Sequence, residues 1–244
     1  MGLARIAIII FLVMIGGTGC MQSEGEIISY LEEKYNSKFV AEGGKEGSDL
    51  FPDMYGKDQI VAHPEGNDKL VFLAGESKTQ EGGFFDRYPL AKWSNELDEK
   101  YSDAVAKEFG SDAQFKTLLY VQGDNYSADM MDMSAEDYFK SNQEALVTLN
   151  IGIKTAGEPN VDEYLDGIYS LQQQLKELGV ESYGVTVGFV DESEDISNYI
   201  RTSNVNNLPW SNLDAKVYGT IMIDNLLDIQ SPEQIKEYYE PIEG

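Results

Sequence analysis

Cysteine is almost absent from this 244-residue chain. The single cysteine, Cys20, excludes an internal disulfide framework, so packing must hold the fold together. Histidine is equally scarce. One histidine, His63, does not make a His-based zinc centre. It is followed by Pro64 and sits between an expected strand and a turn. No nucleophile elbow or Ser-x-x-Lys pair is present for it to activate, so it reads as a turn residue. Positive charge is also sparse, with 18 Lys and Arg against 43 Asp and Glu and a net charge of −25. Nucleic acid is therefore excluded as a natural partner, because phosphate contacts need a basic footprint. An anionic bilayer surface would repel the chain as well. The longest apolar run, Ile6 to Ile15, has ten residues. A spanning helix needs about 20.

That run belongs to a leader covering residues 1–19. Arg5 supplies a positive end, the run follows, and Gly16-Gly17-Thr18-Gly19 form a small-residue end before Cys20. Residues 17–20 resemble the lipobox of bacterial lipoproteins, with Gly17 standing where leucine is usual. The resemblance implies cleavage before Cys20, an S-diacylglycerol on its thiol and an acyl group such as palmitate on its new amino group. Two or more chains anchor stably where one does not. The expected location is the cell membrane, lipid-anchored on the extracytoplasmic face.

The remaining residues, 20–244, are enough for one large domain or two small ones. Hydrophobic residues make up 42% of the chain and aromatics 11%, which supports a packed core. Residues 21–110 carry 19 acidic and 10 basic side chains, whereas 111–244 carry 24 and 7. This asymmetry suggests two segments, 24–110 and 111–244, joined near Gly110-Ser111-Asp112, with residues 20–23 as a short tether.

The first segment reads α-β-β-β-α. Ser23 and Glu26 form a capping-box pattern ahead of Ile27, Ile28, Leu31 and Tyr35 at helical spacing. Strands are expected at Lys38–Glu42, Gln59–His63 and Leu70–Ala74. A long helix begins near Pro89, presents Leu90, Trp93, Leu97, Tyr101, Val105 and Phe109, and ends at Gly110. In the second segment, strands are expected at Phe115–Val121, Ala145–Lys154, Ser182–Val190 and Lys216–Asp224. Tyr183, Val185, Val187 and Phe189 alternate with small or polar residues, the period of a half-buried strand. Helices are expected after Asn160, after Ser231, and at Ser134–Asn142 and Ile196–Arg201. The fold class is thus α+β: a small antiparallel sheet with two helices, followed by a sheet of about four strands with interspersed helices.

Four groups carry candidate chemistry. Asp124, Asp129 and Asp132 share one loop, and Asp191, Glu192, Glu194 and Asp195 share another. Oxygen-rich loops suit calcium, but neither matches an EF-hand, and Asp195 also suits a helix N-cap. Met130, Met131 and Met133 could hold Cu(I), or Met133 could staple the helix that Ser134 caps. Tyr218, Thr220 and Met222 could share an outward strand face near Trp210, Asn206, Asn207 and Asn212. Such a set of aromatic and amide groups can bind sugars or peptides, or can be ordinary sheet and loop residues. Carboxylate pairs for glycoside hydrolysis are too easily found here for spacing to discriminate. No residue is assigned as catalytic, cofactor-binding or metal-ligating, and no cofactor is implied.

The lipobox together with Tyr30-Leu31-Glu32-Glu33-Lys34-Tyr35-Asn36-Ser37-Lys38-Phe39, leading into a strand, resembles uncharacterised lipoproteins of Bacillus-type Gram-positive bacteria. The resemblance covers mainly residues 1–110 and implies a membrane lipoprotein without indicating an active site. The expectation is a non-enzymatic binding or interaction protein, with the bilayer and a membrane protein or cationic molecule as partners. The alternatives are a carboxylate-based cell-envelope hydrolase and a divalent-cation-binding protein.

Overall fold

The computed structural model describes residues 18–47, 56–206 and 208–242. The leader lies outside them, apart from the helical backbone that begins at residue 18. The fold is α+β and divides into two compact units, residues 1–88 and 89–244.

In the first unit, α1 (Thr18–Tyr35) is followed by β1 (Phe39–Lys45), β2 (Gln59–Pro64), β3 (Phe72–Glu76) and β4 (Phe84–Asp86). The four strands form an antiparallel sheet in sequence order. α1 buries Ile27 and Leu31 one turn apart, and the sheet contributes Phe39, Ile60, Ala62, Phe72 and Ala74 to the buried set. The rings of Phe39, Phe72 and Tyr88 pack with centroids 5.1–5.8 Å apart. Asp86, fully buried at the end of β4, is tied to α1. It accepts from Lys34 Nζ at 2.7 Å, Tyr35 Oη at 2.7 Å and Tyr30 Oη at 3.1 Å. Burying a carboxylate demands such partners.

Two details differ from the sequence expectation. The helix backbone is continuous from Thr18, so residues 20–23 are helical and Ser23 lies inside the helix rather than at its cap. Met21 and Gln22, both good helix formers, allow the helix to extend ahead of the capping signal. The sheet also has a fourth strand, β4, which is only three residues long.

The second unit opens with α2 (Tyr88–Phe109), whose first residue, Tyr88, belongs to the first unit. Leu90, Trp93, Leu97, Tyr101 and Val105 of α2 join the core of the second sheet. The long helix expected to close the first segment therefore belongs to the second unit. Then come β5 (Gln114–Tyr120), α3 (Ala135–Phe139), β6 (Leu146–Thr155), α4 (Leu165–Lys176), β7 (Ser182–Asp191), α5 (Ser197–Asn206), β8 (Val217–Asp224) and β9 (Tyr239–Pro241). The five strands lie side by side in sequence order. β6 and β7 are parallel and every other pair is antiparallel. A parallel pair needs a long crossover, and α4 supplies it.

One face of this sheet is fully packed. Val147, Leu149, Ile151 and Ile153 of β6, with Val185, Val187 and Phe189 of β7, meet Ile168, Leu171 and Leu175 of α4 and the apolar stripe of α2. The edge of β5 is blocked by α2: Ser94 Oγ donates to the Thr117 carbonyl, and Asp98 accepts from Thr117 N at 2.6 Å and Lys116 Nζ at 2.7 Å. An edge strand is thus closed to further pairing.

Candidate binding groove

The opposite face of the second sheet is only partly covered. The residues on it are read from the pleat: Leu118 on β5, Asn150 and Gly152 on β6, Thr186 and Gly188 on β7, Thr220 and Met222 on β8. α5 and the single turn Trp210–Asn212 cover one end. Trp210 is held there by a specific seat. Gly152 and Gly188 are paired neighbours across β6 and β7. A Cβ on Gly188 would collide with the indole of Trp210, and one on Gly152 would collide with Ile196 and crowd Trp210. The absence of both side chains lets the ring approach the strands closely.

Two hydrogen bonds then fix the ring and its neighbour. Trp210 Nε1 donates to Asn150 Oδ1 at 3.0 Å, and Tyr199, packed against the indole, donates its hydroxyl to the Leu208 carbonyl at 2.9 Å. Burial pushes the Tyr199 phenol pKa up, which keeps it the neutral donor to the Leu208 carbonyl. Tyr199 and Trp210 pack edge to face with centroids 4.7 Å apart. Val190, Ile196, Ile200 and Val217 complete a small separate core beneath them.

Beyond this cluster the sheet face lies open. The result is a groove of about 820 Å³ whose lining runs from Leu118 on β5 to Ile242 just past β9. Met222 is 68% exposed on it, although it sits mid-strand. The walls are Leu208, Pro209, Pro241 and Ile242, and Thr186 and Thr220 place hydroxyls on the floor. Glu240 is the one ionisable carboxylate in the lining, and the lining contains no Lys, Arg or His. A hydrolase using two carboxylates has no second acid there.

Of the residues grouped on sequence grounds, Trp210, Thr220 and Met222 do meet in this groove. Tyr218 does not. A β-bulge opposite Phe189 and Val190 reverses the alternation and sends Tyr218 to the packed face. Asn206 closes α5, donating to Thr202 Oγ1 and accepting from Leu208 N, and Asn212 is exposed. Asn207 lies outside the described residues. Asn150, the glycine pair and Glu240 were not singled out from sequence. A buried tryptophan needing an acceptor for its N–H was the one available signal.

The carboxylates of the second acidic loop are used locally. Asp191 accepts from Tyr218 Oη at 2.5 Å, Ser193 Oγ at 2.6 Å and Ser193 N at 3.0 Å, which together hold its carboxyl well below the usual range. Glu194 accepts from Lys216 N, and Asp195 accepts from Ser197 N and Oγ at the entry to α5. Asp129 and Asp132 are exposed. Among the described residues no three His, Cys, Asp or Glu side chains converge. Ser134 caps α3 by accepting from Asp137 N, and the Met133 carbonyl accepts from Trp93 Nε1 at 2.9 Å. His63 Nδ1 donates to the Pro64 carbonyl at 2.8 Å and Nε2 lies 3.5 Å from Glu42 Oε1. Among the described residues no helix is long and apolar enough to cross a membrane.

The architecture is therefore an α+β protein with two sheets, the second carrying an open groove on one face. It is similar to the crystal structure of a DUF5037 family protein from Ruminococcus gnavus. The TM-score is 0.56 at 10% identity, covering 87% of this chain and 96% of that one. At that identity the likeness speaks for the fold. No family model matches the sequence, and no curated protein matches it.

Proposed function

We propose that this chain is a lipid-anchored, extracytoplasmic binding protein that presents the groove of its second sheet to a ligand. The observation that carries the binding reading is the uncovered half-face of a sheet whose other face is fully packed, with Met222 exposed in mid-strand. A contiguous exposed apolar patch rimmed by polar residues marks an interaction site, and Leu208 and Met222 are exposed together in this lining. The groove's lining suits recognition more than catalysis, since its polar groups are amide and hydroxyl and its one carboxylate lies at the rim.

The anchor rests on Cys20 and the leader before it. Because α1 is helical from Thr18, Cys20 precedes Ile27, a fully buried residue, by seven residues of helix. At 1.5 Å per residue this is about 10 Å. The first unit would then sit close to the bilayer, with a membrane protein or cationic molecule as the favoured partner.

Two experiments test the reading separately. Cys20→Ser should move the protein from the membrane fraction into the medium, and retention in the membrane sinks the anchor. Chemical cross-linking in membranes should capture a stoichiometric partner with the native protein and lose it with Met222→Lys. Equal capture by both proteins removes the groove from the interaction.

A further inference from the structure

Building on the binding reading, we propose that the groove holds an extended apolar peptide segment of about six residues with a basic side chain set against Glu240. Length argues first. The lining reaches from β5 to β9, which is four strand spacings. At about 4.8 Å each, this makes roughly 19 Å, the span of about six extended residues at 3.3 Å apiece. Such a trough suits a chain better than a compact metabolite.

Chemistry argues next. Leu118, Leu208, Met222, Pro241 and Ile242 offer apolar contacts on both sides of the Thr186 and Thr220 hydroxyls. Alternate side chains of an extended segment would enter between them.

Charge argues last. The lining holds Glu240 and no cation, and the whole chain carries −25. An acidic segment would be repelled, while a basic one gains both the rim contact and the long-range field. Pairing at a sheet edge is a different mode and is not available at β5, where Ser94 and Asp98 occupy the Thr117 backbone groups.

The test uses the full-length protein in detergent and a fluorescently labelled, acetylated hexapeptide alternating leucine with lysine. Glutamine and glutamate counterparts serve as comparisons, with binding followed by anisotropy. The lysine peptide should bind most tightly and weaken as salt rises. Glu240→Gln should weaken the lysine peptide roughly three- to fivefold, as expected for an exposed charge contact, and leave the glutamine peptide unchanged. Met222→Lys should weaken the lysine and glutamine peptides about tenfold or more. Both substituted positions are exposed, and an unchanged urea midpoint confirms that the variants are folded.

Equal affinity for lysine and glutamine peptides, unmoved by Glu240→Gln, overturns the basic-segment inference while the groove reading stands. Binding of zwitterionic lipid vesicles but of no peptide, lost in Met222→Lys, overturns the peptide in favour of a lipid surface. If Met222→Lys changes neither peptide nor vesicle binding, and cross-linking in membranes is also unaffected, both readings fall.

Discussion

Gly188→Ala tests the seat of Trp210 because two effects of opposite sign meet there. Glycine inside a strand costs about 0.5–1 kcal/mol relative to alanine, so propensity alone makes the substitution stabilising. The added methyl, however, would fall on the indole of Trp210. The backbone of β7 is locked between β6 and β8, so the ring must yield. Overpacking a close-packed site costs about 1–3 kcal/mol. A displaced ring also loses its bond to Asn150, leaving a buried donor and acceptor without their partners, at about 1–3 kcal/mol. Sterics win, with a net loss of about 3 kcal/mol. For a domain of this size that lowers Tm by roughly 6–12 °C. Urea unfolding followed by tryptophan fluorescence and by far-ultraviolet circular dichroism would measure it. The decisive comparison is the Trp210→Ala background, where no ring lies over Gly188 and Gly188→Ala should cost under about 0.5 kcal/mol. Gly25→Ala is the control: it has open space within α1 and should be neutral or stabilising. Equal costs for Gly188→Ala in both backgrounds would refute the steric account.

Asp98→Ala strands the Lys116 ammonium, which is 6% exposed, and should cost about 3–5 kcal/mol by urea unfolding. Asp98→Asn with Lys116→Met keeps an acceptor for Thr117 N and should recover most of that loss; strictly additive penalties would contradict the pairing. Tyr101 is buried with its hydroxyl unpartnered among the described residues, and burial raises its pKa. Tyr101→Phe should therefore be neutral or stabilising by about 1 kcal/mol, and a loss above about 1 kcal/mol would reveal a missing partner. Asp191 is held below its ordinary pKa by Ser193 and Tyr218, so its stabilisation is present above the unfolded value near 4 and is lost as pH falls below it. Asp191→Asn should flatten the decline of the urea midpoint between about pH 4 and 2, and an unchanged slope would count against this role.

The helices and the long strands were legible because each carries a period. The apolar stripe of α2, from Leu90 to Val105, and the alternation along β7 both survive into the structure with the expected faces. β4 and β9 have three residues each, too few for any period, and exist because a neighbouring strand offers hydrogen bonds. The same limit hid Asp86, whose partners on α1 lie 51 to 56 residues away. For the groove, Trp210, Thr220 and Met222 could be grouped by composition and proximity. Asn150 could not, being 60 residues from the indole it serves.

The bulge between β7 and β8 explains why the groove exists where it does. Along an unbroken β8, Val217 would share a face with Ile221 and Ile223, and Tyr218 would stand beside Thr220 and Met222. A phenol there would fill the trough. The bulge slips the register by one residue, pairing Val217 with Val190. Val217 joins the small core beneath Trp210, while Tyr218 packs on the opposite face and donates to Asp191. The same irregularity therefore supports one wall of the groove and clears its floor. Bulges commonly re-aim side chains in this way beside functional sites. The strong hydrogen bonds around Asp191 have a role here too, since they hold Tyr218 on the side that leaves Met222 exposed.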